Sequence, residues 1–141
     1  MAISTPSAAE SSAPADGTSL GQAYHDLFGE VPPHARRRWE ILEAVGRGQT
    51  VIALENLRSL VISKSPLELR VQQLVQFGQL LVIRAEGPAR LHARAAIRHG
   101  ATLQELMAVS ETAYLTGGIT AFSLGVTIIG ELLDEARDLR Q

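Results

Sequence analysis

The sequence predicts an all-α fold, a helical bundle of the oligomer-forming kind, and three features carry that expectation. No stretch shows the strict apolar–polar alternation of a half-buried strand. Apolar residues instead recur three and four positions apart, between clear glycine and proline breaks. Aromatic residues make up only 4% of the chain, whereas leucine, valine, isoleucine and alanine abound, which suits helices meeting along aliphatic seams.

At 141 residues the chain is long enough for one domain with a real core. Residues 1–18 are mostly Ser, Ala, Pro and Thr and cannot bury enough apolar area to offset ordering entropy, so they read as a disordered tail. A single helical domain over residues 19–141 is expected. The formal net charge of −2 gives no bulk field for nucleic acid or an anionic membrane. With no cysteine, disulfides, thiolate metal sites and cysteine-based mechanisms are excluded. That usage fits a reducing cytoplasm, and the opening residues lack the basic start and apolar run of a secretion signal.

The first helix is expected from Ser19 through Phe28, with Gly29 and the Pro32-Pro33 pair breaking it. A second, from about His34 to Val45, should bury Trp39, Ile41, Leu42 and Val45. Its Arg36-Arg37-Arg38 run, with Glu40 and Glu43 in helical reach, reads as a solvated turn. Gly46-Arg47-Gly48 marks a break before a third helix carrying Val51, Leu54, Leu57, Leu60 and Val61. Ser65-Pro66-Leu67-Glu68 has the form of a capping box opening a fourth. There Leu67, Val71, Leu74, Val75, Gly78, Leu81 and Val82 form an apolar stripe opposite Gln72, Gln76 and Gln79. Gly87-Pro88 ends this helix and opens the fifth, which stops at Gly100. Thr102 and Glu105 form a second capping box for a helix reaching about Thr116. After Gly117-Gly118 the last helix, about Ile119 to Leu139, is uncharged up to Gly130 and apolar almost all round. Its unbroken apolar part is shorter than the roughly 20 residues a membrane span needs. Burial against a second subunit is therefore expected, with Gly125 and Gly130 allowing close approach.

His92, set among Ala89, Ala93 and Ala96, is the first candidate for chemistry. A partly buried imidazole can be tuned to move protons near neutral pH, although such a ring can equally be a core residue satisfied by a backbone carbonyl. His99 lies at a helix C-terminus and reads as a cap. The two histidines are seven residues apart with no acidic cluster beside them, so no metal site is expected. Arg90, Arg94 and Arg98 form a row along the helix; Arg94 is the candidate to fork onto a substrate carboxylate, the alternative being a solvated stripe. Glu86 and Glu111 could orient His92 or pair with an arginine. Gln72, Gln73 and Gln76 could offer neutral hydrogen bonds to a carbonyl or lactone oxygen. No nucleophile elbow, phosphate loop or dinucleotide fingerprint is present.

The run from Glu86 to Ala96, with Gly100-Ala101-Thr102, Glu105-Leu106, Gly117-Gly118 and Ala121, resembles the carboxymuconolactone decarboxylase family of the alkylhydroperoxidase D-like superfamily. The resemblance covers roughly Leu57 to Leu133, with weaker support from Leu27 to Pro32. It implies a helical protomer built around an antiparallel hairpin, assembling into trimers or hexamers, with sites between helices. It also implies either cofactor-free decarboxylation of a carboxylated lactone or a peroxidase using a Cys-x-x-Cys pair. The positions of those cysteines are Ala85 and Pro88 here, which excludes a thiol peroxidase. Pro88 also replaces the glutamate typical of the decarboxylases, and Gln72 or Gln73 stands where that family often has a charged residue. The expected activity is therefore cofactor-free proton transfer on a small carboxylated lactone or carbonyl substrate. His92 would be the acid/base, with Arg94, Gln72, Gln73, Glu86 and Glu111 as substrate-binding candidates. Isomerisation, cyclisation, ring opening, or silent ligand binding by an oligomer are the alternatives.

Overall fold

Seven α-helices follow one another in the computed structural model, which describes residues 21–141. They are α1 (Gln22–Phe28), α2 (Pro33–Ala44), α3 (Gly48–Ser63), α4 (Leu69–Val82), α5 (Glu86–Arg98), α6 (Leu103–Gly117) and α7 (Ile119–Asp138). No strand occurs among the described residues. The expected tail over residues 1–18 lies outside them.

At the centre is α4, packed along α5 on one side and α6 on another, with α7 completing the layer. Its buried residues Phe77 and Leu81 meet Ala89, Ala93 and Ala96 of α5, Leu106 and Ala113 of α6, and Ala121, Ile128 and Ile129 of α7. Alanines every three or four residues give α5 a smooth face, so its backbone lies close to α4. A smaller cluster, Tyr24, Val31 and Ala35 with Phe28 and Trp39, forms where α1 and α2 fold back. The α1 helix rests on both α5 and α3.

The chain breaks fall where local chemistry demands. Gly100 has φ +97°, a conformation costly for any residue with a Cβ. Thr102 and Glu105 then form the complete capping box, Thr102 Oγ1 accepting from the Glu105 amide and Glu105 accepting from the Thr102 amide. The Thr102 amide first, and then Arg70, hold the Glu105 carboxyl below the usual carboxylate range. Gly118 separates α6 from α7 at φ +80°. Arg84, itself at positive φ, ties this turn to the one before α5 by donating to Thr120 Oγ1 and to the Gly117 carbonyl.

Three expectations are corrected, and α3 resolves a choice that helical spacing leaves open. The Ser65 capping box does not form: Ser65 Oγ accepts from the Leu67 amide in a local turn, and α4 begins at Leu69 with Glu68 extended before it. Leu67 is consequently exposed rather than part of the apolar stripe. Gly87 and Pro88 do open α5, in its first turn, where a missing proline N–H costs nothing, but they do not end α4, which stops earlier at Val82. Ile41 and Val45 of α2 are exposed, because Ala35 and Trp39 face the small cluster instead. In α3 the inward face is Val51 and Glu55, which leaves Leu54, Leu57, Leu60 and Val61 outside.

Along α7, Ala121, Gly125, Ile128 and Ile129 are buried within the protomer. A Cβ on Gly125 would collide with Ser110 Oγ of α6, so the close approach this glycine permits is intramolecular; one on Gly130 would meet nothing. No helix among the described residues is long and apolar enough to cross a membrane.

Candidate active site

The α4–α5 packing carries Gln73 and His92 to the same level. Gln73 is fully buried, an unusual place for an amide unless every polar atom has a partner. Its Oε1 lies 2.7 Å from His92 Nδ1, and its Nε2 donates to Gln76 Oε1 at 3.0 Å. With the amide so oriented, Nδ1 of the ring carries the proton and donates to Gln73. Nε2 is then an unprotonated lone pair with no hydrogen-bond partner among the described residues. The Phe28 ring from α1 stands edge-on to the imidazole, centroids 5.3 Å apart. Burial first, then the positive charge of Arg58 and of His34, pushes the His92 pKa down to about 4, so the resting ring is neutral near pH 7.

The remaining sequence candidates are distributed over the surface. Gln72 points to the α3–α4 connection, its Nε2 donating to the carbonyls of Ile62 and Leu67. Arg94 is forked onto Glu135 by two 2.7 Å bonds, and Arg90 is likewise forked onto Glu131 at 2.9 and 3.0 Å. These pairs tie α5 to α7. Glu86 accepts from Arg90 at 3.4 Å. Glu111 is exposed on α6, beside a shallow hollow shared with Tyr114, Ile119 and Phe122. His92 and Gln73 therefore come together, whereas Gln72, Glu86 and Glu111 make their contacts elsewhere.

A cavity of about 780 Å³ opens between α5 and the α1–α2 turn. Phe28, Pro32, Pro33, Pro88 and Leu91 give it apolar walls, Arg94 and Arg98 place cationic groups on its lining, and the His34 imidazole joins them. Arg98 has no ion pair among the described residues and lies against Gly29, where a Cβ would come within 2.6 Å of Nη1. The N-terminal turns of α2 and α5 both contribute to this lining, adding a partial positive field. Phe28 is common to the cavity wall and to the His92 contact.

Sequence reasoning missed the second polar cluster behind Phe28. Glu55 is buried, with its Oε1 3.5 Å from Tyr24 Oη and its Oε2 3.3 Å from Arg58 Nε. Arg38 donates to Tyr24 Oη at 3.1 Å, and the Arg58 guanidinium lies 4.6 Å above the Tyr24 ring. Burial raises the Tyr24 pKa above its ordinary value, with Arg58 opposing the shift. The available signal was composition: Glu55 and Arg58 are the two charged residues of an otherwise uncharged 16-residue helix.

Among the described residues no group of three or more His, Cys, Asp or Glu is placed to hold a metal ion. Comparison with curated proteins and with solved structures gave no match. The segment holding Gln73, His92 and the Gly100–Thr102 stop is different: residues 49–128 match the carboxymuconolactone decarboxylase family. With that segment spanning more than half of an all-helical chain, and with no cysteine for the thiol peroxidase chemistry of the wider superfamily, the protein belongs to the carboxymuconolactone decarboxylase family.

Proposed function

We propose that the protein is a cofactor-free proton-transfer enzyme, a decarboxylase-like lyase acting on a small carboxylated lactone or carbonyl compound, with His92 Nε2 as the acid/base. One observation carries the reading: a fully buried glutamine carbonyl is committed to His92 Nδ1, so that in the neutral ring the proton sits on Nδ1 and Nε2 has no hydrogen-bond partner among the described residues. Such a partner fixes the tautomer and the orientation of the ring, as an acid/base imidazole requires.

The anionic group of the substrate would sit in the 780 Å³ cavity against Arg98 and Arg94, with its flat body between the proline, leucine and phenylalanine walls. A carboxylate brought near His92 favours the charged ring, so binding draws a proton onto Nε2 from solvent. Loss of carbon dioxide breaks the carbon–carbon bond and leaves its electron pair as an enolate. The imidazolium then returns its proton to that carbon. Isomerisation or ring opening would use the same proton at the same nitrogen.

The test is solvent deuterium incorporation and carbon dioxide release across small carboxylated lactones and β-keto acids. Turnover by the wild type that His92→Gln removes supports the reading; equal rates in the two proteins sink it. A silent ligand-binding protein is the second reading, favoured by the Phe28 ring on His92 and by Glu135 in the Arg94 fork. Saturable binding with no turnover on any substrate would select it.

Association into a homo-oligomer is part of the proposal. It is supported by the exposed α3 leucines and by an apolar groove of about 650 Å³ between α4 and α6, lined by Val71, Leu74, Val75, Val82 and Val109. Sedimentation showing a monomer at micromolar concentration would remove it. The absence of cysteine suits a reducing cytoplasm as the place of action.

A further inference from the structure

The cover over His92 does not come from the family segment. Phe28, Tyr24, Pro32 and His34 all precede residue 49, where the family match begins. Yet Phe28 contacts the imidazole, and together with Pro32, Pro33 and His34 it supplies one whole side of the cavity. We propose that α1 and the α1–α2 turn are a substrate-selecting gate, in which Phe28 closes His92 off from the cavity and the Tyr24–Glu55–Arg58 cluster holds the gate shut. The proposal rests on the reading of His92 as the reacting group.

The physical case for a gate rather than a fixed wall lies in how α1 is held. A seven-residue helix has little stability of its own and no side-chain cap at its start, so α1 stays in place through tertiary contacts alone. Among the described residues those contacts are Tyr24 in the small cluster, the buried Leu27, the Phe28 edge on His92, and the polar cluster on α3. Within that cluster Glu55 Oε2 and Arg58 Nε are buried, 3.3 Å apart, but without a well-formed hydrogen bond. Opening lets water complete both groups, which offsets part of the lost packing and keeps the open state accessible. The hinge is at hand: Gly29, at φ +81°, ends α1 and turns the chain toward Pro32-Pro33. Closed, the gate keeps the part-buried ring off the cavity lining; open, it joins Nε2 to the cationic cavity. Because its contact residues lie outside the family segment, the size and shape of the accepted substrate would be set by Phe28 and Pro32 rather than by α4 and α5.

The experiment reads the accessibility of His92 without needing a substrate. Diethyl pyrocarbonate acylates unprotonated imidazole, and peptide mass spectrometry gives the rate at His92 relative to exposed His25 and His34 of the same molecule. Slow acylation in the wild type, raised roughly tenfold or more in Phe28→Ala, is expected, with a smaller rise in Glu55→Gln. Amide exchange over residues 22–28 should quicken in both variants while α4 stays protected. Circular dichroism checks that each is folded, and Glu55→Gln keeps the Phe28 wall should Phe28→Ala fail to fold. A His92 rate equal to that of His25 in the wild type, or one unchanged in the folded variants, overturns the gate. Loss of turnover in His92→Gln with unchanged accessibility would sink the gate alone. Raised accessibility with turnover indifferent to His92→Gln would sink the enzymatic reading alone.

Discussion

Acidifying the wild type from about pH 7 to about pH 4 should cost it roughly 3 kcal/mol more stability than it costs His92→Gln. The figure follows from where the ring sits. Its pKa is about 4 in the folded protein, because burial and the charges of Arg58 and His34 disfavour the imidazolium. In the unfolded chain the value is about 6.5, and each pH unit between the two is worth about 1.4 kcal/mol. Above both values the ring is neutral in either state and contributes nothing to the pH dependence. Between them the unfolded chain takes up a proton that the folded protein refuses, so stability falls as pH falls. Below about pH 4 both states are protonated and the loss is complete. Glu105 and Glu131 act in the same sense at lower pH: interactions with Thr102 and with Arg90 respectively lower their pKa, and they stabilise the fold until the pH drops through the carboxylate range. Comparison with His92→Gln cancels them, and the new amide can still donate to Gln73. Urea unfolding at a series of pH values and one protein concentration measures the difference, the concentration being fixed because self-association would add its own term. Parallel acid curves for the two proteins, or a nuclear magnetic resonance titration of His92 with its midpoint near 6.5, would refute the argument.

Gly125→Ala should destabilise by roughly 1–3 kcal/mol in urea unfolding, since the added methyl meets Ser110 and Leu81 in a packed core. Gln73→Glu should raise the His92 pKa above that of the wild type, a carboxylate beside Nδ1 favouring the imidazolium, and ring-proton titration reads the shift directly. Thr102→Ala removes one half of the capping box and should cost about 1 kcal/mol in the same unfolding assay. Arg98→Gln should weaken binding of a small aromatic carboxylate, measured by calorimetry, more than it lowers stability. Arg98 faces the cavity and carries no ion pair among the described residues.

Much of the scaffold was readable from residue order, because its punctuation acts over a single turn. Gly100, Thr102 and Glu105 stop one helix and start the next through bonds between near neighbours. Gly117-Gly118 does the same, and the limits of α6 and α7 fall where those residues put them. The alanines beside His92 likewise announced a close-packed face, and Ala89, Ala93 and Ala96 are fully buried against α4. Ser65-Pro66 misled for a related reason: the same hydroxyl can serve a tight turn or a helix start, and here it serves the turn.

What periodicity leaves open is which of several apolar rows turns inward, and which distant groups meet. The α3 leucines have helical spacing, yet the face presented to α1 is Val51 and Glu55. Gln72 and Gln73 were equivalent as letters; a rotation of about 100° per residue sends one to the α3–α4 connection and the other into the core against His92. Phe28 reached the imidazole across more than sixty positions of sequence, a meeting created by chain folding and encoded in no local pattern. Caps and breaks are set by short-range hydrogen bonds and backbone sterics, so residue order is enough to place them. The pKa of His92, its neighbours and its cover depend on desolvation and charge summed over elements far apart in the chain, and those exist only once the helices have packed.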